Sequence, residues 1–204
     1  MAISRQKFDA IKLDMGAHTS WAVWAEEGNK PKSNVGDLSI FTSEDKLKNT
    51  LKKLNPNVVL AGLNGSNGNN EVDLNVTPFG NFHSGWHWAT DFKIRYATVD
   101  TPLEGAFMTD VIKHHYETDS TLVLKELKKN PDYEREKVNE FFREIRTLSN
   151  DPLIFAFGGL AFDLINKYNV YGLQVFKLYH YAFTMSKEKF REHTLQTLKT
   201  AKMI

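Results

Sequence analysis

"VVLAGLNGSNGNN", residues 58–70, decides how the fold is read. An apolar run ends at Gly62, and after Leu63 every residue through Asn70 is Asn, Gly or Ser. Apolar side chains on successive positions, with no alternation, describe a strand covered on both faces, as in a parallel sheet. The residues beyond it carry so little side chain that a ligand can reach the backbone. The same composition also suits a plain flexible loop.

Outward from this stretch, strands and helices alternate. Upstream, "SEDKLKNTLKKL" (43–54) has a Ser cap, early acids and late lysines, which suits a helix and its dipole. Before it, residues 5–14 read as a short helix, and "SWAVWAE" (20–26) as a strand or strand edge. Downstream, "GWHWATDFKIRYATV" (85–99) has helical spacing, and "GAFMTDVI" (105–112) reads as a short strand. "EREKVNEFFREIRTL" (134–148) places Val138, Phe141, Phe142 and Ile145 on one helix face. "DPLIFAFG" and "GLAFDLINKY" then read as strand and helix, "LQVFKLYHYA" as a further strand, and "SKEKFREHTLQTLKTAK" as a Ser-capped helix.

This alternation predicts an α/β three-layer sandwich with a central parallel sheet of about four strands. They are expected near 57–62, 105–111, 152–157 and 174–180. The 204 residues suffice for one domain with a sizeable core, so a single domain over 1–204 is expected. There is no Cys, which excludes disulfides, thiolate nucleophiles and Cys-bound metal centres. No apolar run approaches membrane-spanning length, and no signal-peptide core is visible, so no membrane association and a cytoplasmic location are the expectation. The formal net charge is +1, so a nucleic-acid partner has to be met by a local basic patch.

In an open parallel sheet, ligands bind beyond the carboxyl ends of the strands. Asn64 lies there. His180 ends the last strand on the same rim, as a site residue or as a histidine bonded to backbone. Asp110 ends the "GAFMTDVI" strand as a pocket residue or a helix cap. The stretch after Gly62 is not a P-loop, because the G-K-[ST] ending is missing. "GLAFD" lacks a nucleophilic Ser. The seven histidines, His18, His83, His87, His114, His115, His180 and His193, show no metal-binding spacing, so neither metal nor cofactor is expected.

Three segments in this order resemble the uracil-DNA glycosylase superfamily, in its mismatch-specific and single-strand-selective branches. "VVLAGLNGS" is similar to the motif in which an apolar strand precedes G-[IM]-N-P-G. "TPFGNFHSGWHW" resembles the stretch whose Phe stacks on the extruded base, and "VFKLYHYAFTMS" the last strand with its H-P-S loop. "GAFMTDVI" and "LIFAFGGLAFDLI" resemble intervening strands. The resemblance is strongest over 55–203.

It implies a uracil-DNA glycosylase-like fold and a DNA-repair hydrolase that flips a base and cleaves its N-glycosidic bond, with single-stranded or damaged duplex DNA as partner. It makes Asn64 and His180 catalytic, Phe79 (or, second, Phe82) the stacking ring and Asp110 the reader of the base edge. Gly62, Gly65, Ser66, Ser186 and Lys187 become the loop and phosphate contacts. The chain also departs from the pattern. Gly65 stands where the family has Pro, and Tyr181 and Ala182 replace Pro-Ser, so the phosphate-gripping loop is changed. Asp110 replaces an amide. The iron–sulfur branches are excluded by the lack of Cys.

An amide can accept from uracil N3–H and donate to O4, whereas an ionised carboxylate only accepts. Asp110 therefore suits a base edge with two adjacent N–H donors, such as guanine, better than uracil. Three functions remain open from the sequence: a glycosylase acting on a damaged base, a non-catalytic nucleic-acid or nucleotide binder with the same fold, and an unrelated α/β small-molecule enzyme using the same rim.

Overall fold

The computed structural model describes residues 3–65, 77–113, 117 and 119–204. One five-stranded sheet organises them, built from β1 (Ser20–Trp21), β2 (Asn55–Asn64), β3 (Ala106–Ile112), β4 (Leu153–Phe157) and β5 (Val175–Leu178) in the order β1-β3-β2-β4-β5. The four longer strands are parallel, at the positions expected from the apolar runs. The expected count of about four becomes five through β1, a two-residue edge strand that pairs antiparallel with β3. β5 stops at Leu178, so His180 sits in the turn beyond the strand and not on it.

Eight helices surround the sheet among the described residues: α1 (Arg5–Met15), α2 (Ser39–Thr42), α3 (Glu44–Lys53), α4 (Phe92–Thr98), α5 (Ser120–Lys129), α6 (Pro131–Leu148), α7 (Gly159–Lys167) and α8 (Lys187–Thr200). α4 is shorter than the 85–99 spacing suggests. Its first residue is Phe92, and the preceding Trp86 and Trp88 are exposed.

Strand alternation sorts the core into two faces. Val59, Ala61 and Leu63 of β2 join Ile154 and Ala156 of β4 against α5, α6 and α7. Val58 and Leu60, with Phe155 and Phe157, face the opposite way, against α4 and α8. Helices α1 to α3 close the β1/β3 end around Trp21, Phe107 and Phe79. This layering is that of an α/β sandwich.

The chain leaves β2 toward α4 on one face and leaves the adjacent β4 toward α7 on the other. Helices that follow neighbouring strands on opposite faces make the carboxyl rim of the sheet the expected place for a ligand. Among the described residues, no helix is long and apolar enough to cross a membrane.

Candidate functional site

A cleft of about 390 Å³ lies on the carboxyl rim of the sheet, at the ends of β2 and β3 and beside the turn after β5. Asn64 and Gly65 come from the end of β2, Asp110 from β3, and His180 and Tyr181 from the turn after β5. The remaining wall is the segment between β2 and α4, through Asn81, Phe82, Trp88 and Asp91. Asn64, Asp110 and His180, distant in sequence, thus share one cavity.

Phe79 does not join them. Its ring is fully buried between Phe8 and Phe41, at 5.2 and 5.4 Å. Its amide donates to Gly16 O, and its carbonyl accepts from Ser20 Oγ. Phe82 lines the cleft instead. Both phenylalanines hold left-handed backbone, φ 65° and 62°. Such conformations cost about 1–3 kcal/mol each and persist only where the surroundings fix them. Here they turn the chain so that one ring enters the core and the other reaches the cleft.

Gly62 also has a role other than the expected one. A Cβ at Gly62 would lie 2.2 Å from Asp110 Oδ1 and 3.3 Å from Phe82 Cζ. Gly62 and Asp110 are register partners on β2 and β3. The missing side chain makes room for the Asp110 carboxyl, not for a ligand at the backbone.

Asp110 is almost wholly buried, and burial pushes its carboxyl up to about 6. Asn81 Nδ2 donates to Asp110 Oδ2 at 2.9 Å and opposes that shift, as does the charge of Lys113. Lys113 donates to Asp110 O and pairs with Glu144, which also contacts His18 and Thr109. Burial raises Glu144, but these partners outweigh it and leave its carboxyl below the usual range. A buried ion-pair network thus stands behind Asp110, on the α6 side of the sheet.

Asp91 is a second buried carboxyl in the cleft. Burial pushes it up to about 6, while Ser84 N–H donates to its Oδ2 at 2.7 Å. No cation pairs with it among the described residues. Sequence reading missed it because helical spacing over 85–99 hides Asp91 inside a helix. It stands at the start of α4, yet its side chain makes no capping bond there and turns to Ser84 instead.

His180 Nδ1 accepts from the Ala182 amide at 3.2 Å. Burial lowers its pKa, so the ring is neutral near pH 7 and carries its proton on Nε2. The ring stacks on Tyr181, with centroids 4.5 Å apart and planes at 21°. Tyr181 also packs edge-on to Phe157 and Phe82. Burial, with the charges of Asp91 and Asp110, raises its phenol well above the ordinary value, so it stays a neutral donor. Asn64 directs its amide hydrogens to Gly65 O and Glu117 O, at 3.0 and 2.8 Å, which fixes the plane of its carboxamide.

Of the expected phosphate contacts, Gly65 lines the cleft, while Ser186 and Lys187 are engaged elsewhere. Ser186 is the N-cap of α8, its Oγ accepting from Lys189 N. Lys187 pairs with Glu188 at 2.8 Å and lies over the Tyr96 ring. Neither lines the cleft. Ser66, the rest of the Gly/Asn stretch through Asn70, and His114 and His115 lie outside the described residues. Among the described residues, no cluster of three or more His, Asp or Glu is placed to hold a metal ion.

No family model matches the chain, and no curated protein matches it.

Proposed function

We propose that the cleft holds a nucleobase of a nucleic acid and that the chain is a DNA glycosylase-like protein, a divergent relative of the uracil-DNA glycosylases. The observation that carries this reading is the convergence of Asn64, Asp110 and His180 on one cleft whose lining includes Phe82, Trp88 and Tyr181. Stacking on such rings holds an unpaired base. Asp110, at the base edge, sets the preference.

In hydrolysis, a water adds to the sugar C1′ as the bond to the base nitrogen breaks. The base leaves with the bonding electron pair, and the neutral imidazole donates from Nε2 to the carbonyl that gathers its charge. Asn64 orients the water. The water's proton passes to Asp91, a carboxylate above about pH 6 and so a competent base near neutrality. The second reading is a binder without turnover. It is favoured by Tyr181 and Ala182, which stand where the resemblance expects the phosphate-gripping Pro-Ser.

Single-stranded oligonucleotides carrying one lesion each, scored for abasic-site formation, test the proposal. Above about pH 6, ionised Asp110 accepts from two adjacent N–H groups but turns a lone pair on uracil O4. Weak or absent uracil release is therefore expected at pH 7.5, and Asp110→Asn raises uracil release or binding. Uracil binding by the native protein rises as pH falls through about 6, where the protonated acid becomes a donor. A shift of oligonucleotide without product selects the binder. Strong native uracil excision, lowered by Asp110→Asn, overturns the pocket assignment, and indifference to every oligonucleotide overturns the whole reading.

A further inference from the structure

A second cavity, of about 450 Å³, opens on the other side of His180. His180 lines both it and the cleft. The second cavity is walled by Tyr179, Phe183, His193 and Lys177, with Gly158 and Gly159 at the start of α7. Tyr179 lies 4.4 Å from His193 and 5.9 Å from Phe183, centroid to centroid. No carboxylate lines this cavity, whereas the cleft holds two.

Tyr179 and Phe183 are 47% and 56% exposed, so part of each ring is open to an occupant. The backbone beneath Phe183 is nevertheless pinned. Its amide donates to His180 O at 2.9 Å, and its carbonyl accepts from Lys93 Nζ at 3.0 Å. A Cβ at Gly159 would meet nothing within 4 Å, so the floor by α7 is open. The rings stand ready for an occupant without rearrangement of the turn.

We propose that this cavity holds the nucleobase next to the one in the cleft, with the His180 imidazole as the partition between two consecutive bases. The proposal rests on the nucleobase reading of the cleft. The chemistry of the walls selects the occupant. Rings without acids, on a wall that also includes Lys177, suit a flat base joined to a phosphodiester. A free anion would leave the rings unused. Two consecutive bases in separate cavities are both unpaired, so the ligand is a single strand of at least two nucleotides.

The test compares the four 2′-deoxynucleoside 5′-monophosphates with the d(pNpN) dinucleotides by calorimetry. Native protein, Tyr179→Ala, Phe183→Ala and Tyr179→Phe are each titrated. Stacking is worth about 1–3 kcal/mol per base, so the best dinucleotide binds about 5- to 150-fold more tightly than the best mononucleotide. Tyr179→Ala and Phe183→Ala each weaken the dinucleotide at least about fivefold, within that same stacking range, and leave the mononucleotide unchanged. Tyr179→Phe keeps the native preference. A dinucleotide that binds no better than a mononucleotide, or alanine variants that weaken both alike, overturns the second subsite and leaves the cleft reading standing. Failure of every mononucleotide and dinucleotide to bind overturns both.

Discussion

At the scale of single residues, Asp110 concentrates the cost and the use of the site. Its carboxyl rises from 3.8 to about 6 in the folded chain, chiefly because burial disfavours the charge. The unfolded chain loses that proton first, so folding weakens as pH rises from about 4 to about 6, and the penalty persists above that. Two units of pKa set a ceiling of about 3 kcal/mol. Asp110→Asn removes the charge but keeps an oxygen for Asn81 Nδ2. The variant is expected to be more stable than native by about 1–2 kcal/mol at pH 7.5, and to differ little at pH 4. Urea unfolding at the two pH values checks this. An equal effect at both would show that the gain has nothing to do with the carboxyl's ionisation. Gly62 completes the arrangement, since any side chain there would collide with Asp110 Oδ1.

At the scale of elements, the helix termini separate structural from functional polar groups. Ser186 was expected to grip phosphate, yet its Oγ caps α8 through Lys189 N. Loss of an N-cap costs about 0.5–2 kcal/mol. Ser186→Ala should lower stability toward the small end of that range, because the bond is long and exposed, and should leave nucleotide affinity unchanged. Thermal melts beside calorimetric titrations decide it, and a loss of affinity at unchanged stability would restore the phosphate role. At α4 the reverse holds. Asp91 occupies the capping position but spends its carboxylate on Ser84 N, facing the cleft. A polar residue at a helix start is thus a cap in one element and part of the site in another. What differs is which backbone amide lies within reach.

At the scale of the whole molecule, a formal net charge of +1 gives little long-range attraction for a polyanion. Many cations are already engaged, among them Lys53 with Glu104 and Arg191 with the carbonyls of Tyr96 and Val99. Binding of single-stranded DNA should therefore depend weakly on salt. With about two phosphates neutralised, the plot of log affinity against log salt has a slope near −1.4. Anisotropy titrations between about 50 and 200 mM salt measure it, the range over which proteins with many phosphate contacts lose most of their affinity. A slope steeper than about −4 would mean that a broad basic surface, and not base stacking, dominates.

The sequence alone determined the four parallel strands, most of the helices and the rim on which Asn64, Asp110 and His180 meet. These follow from local hydrophobic runs and from caps, which each segment carries in its own residues. Only the tertiary structure decided which aromatic faces the cleft. Phe79 and Phe82 stand three residues apart with like composition around them. The choice depends on two left-handed backbone turns and on Phe8 and Phe41, distant in the chain. The same holds for Gly62, whose partner is a side chain on the neighbouring strand, and for Asp91, whose raised pKa exists only once other elements bury it. Local pattern records whether a residue is apolar or caps a helix. Which side chains share a cavity, and how far burial shifts their protons, are set by contacts between segments far apart in sequence.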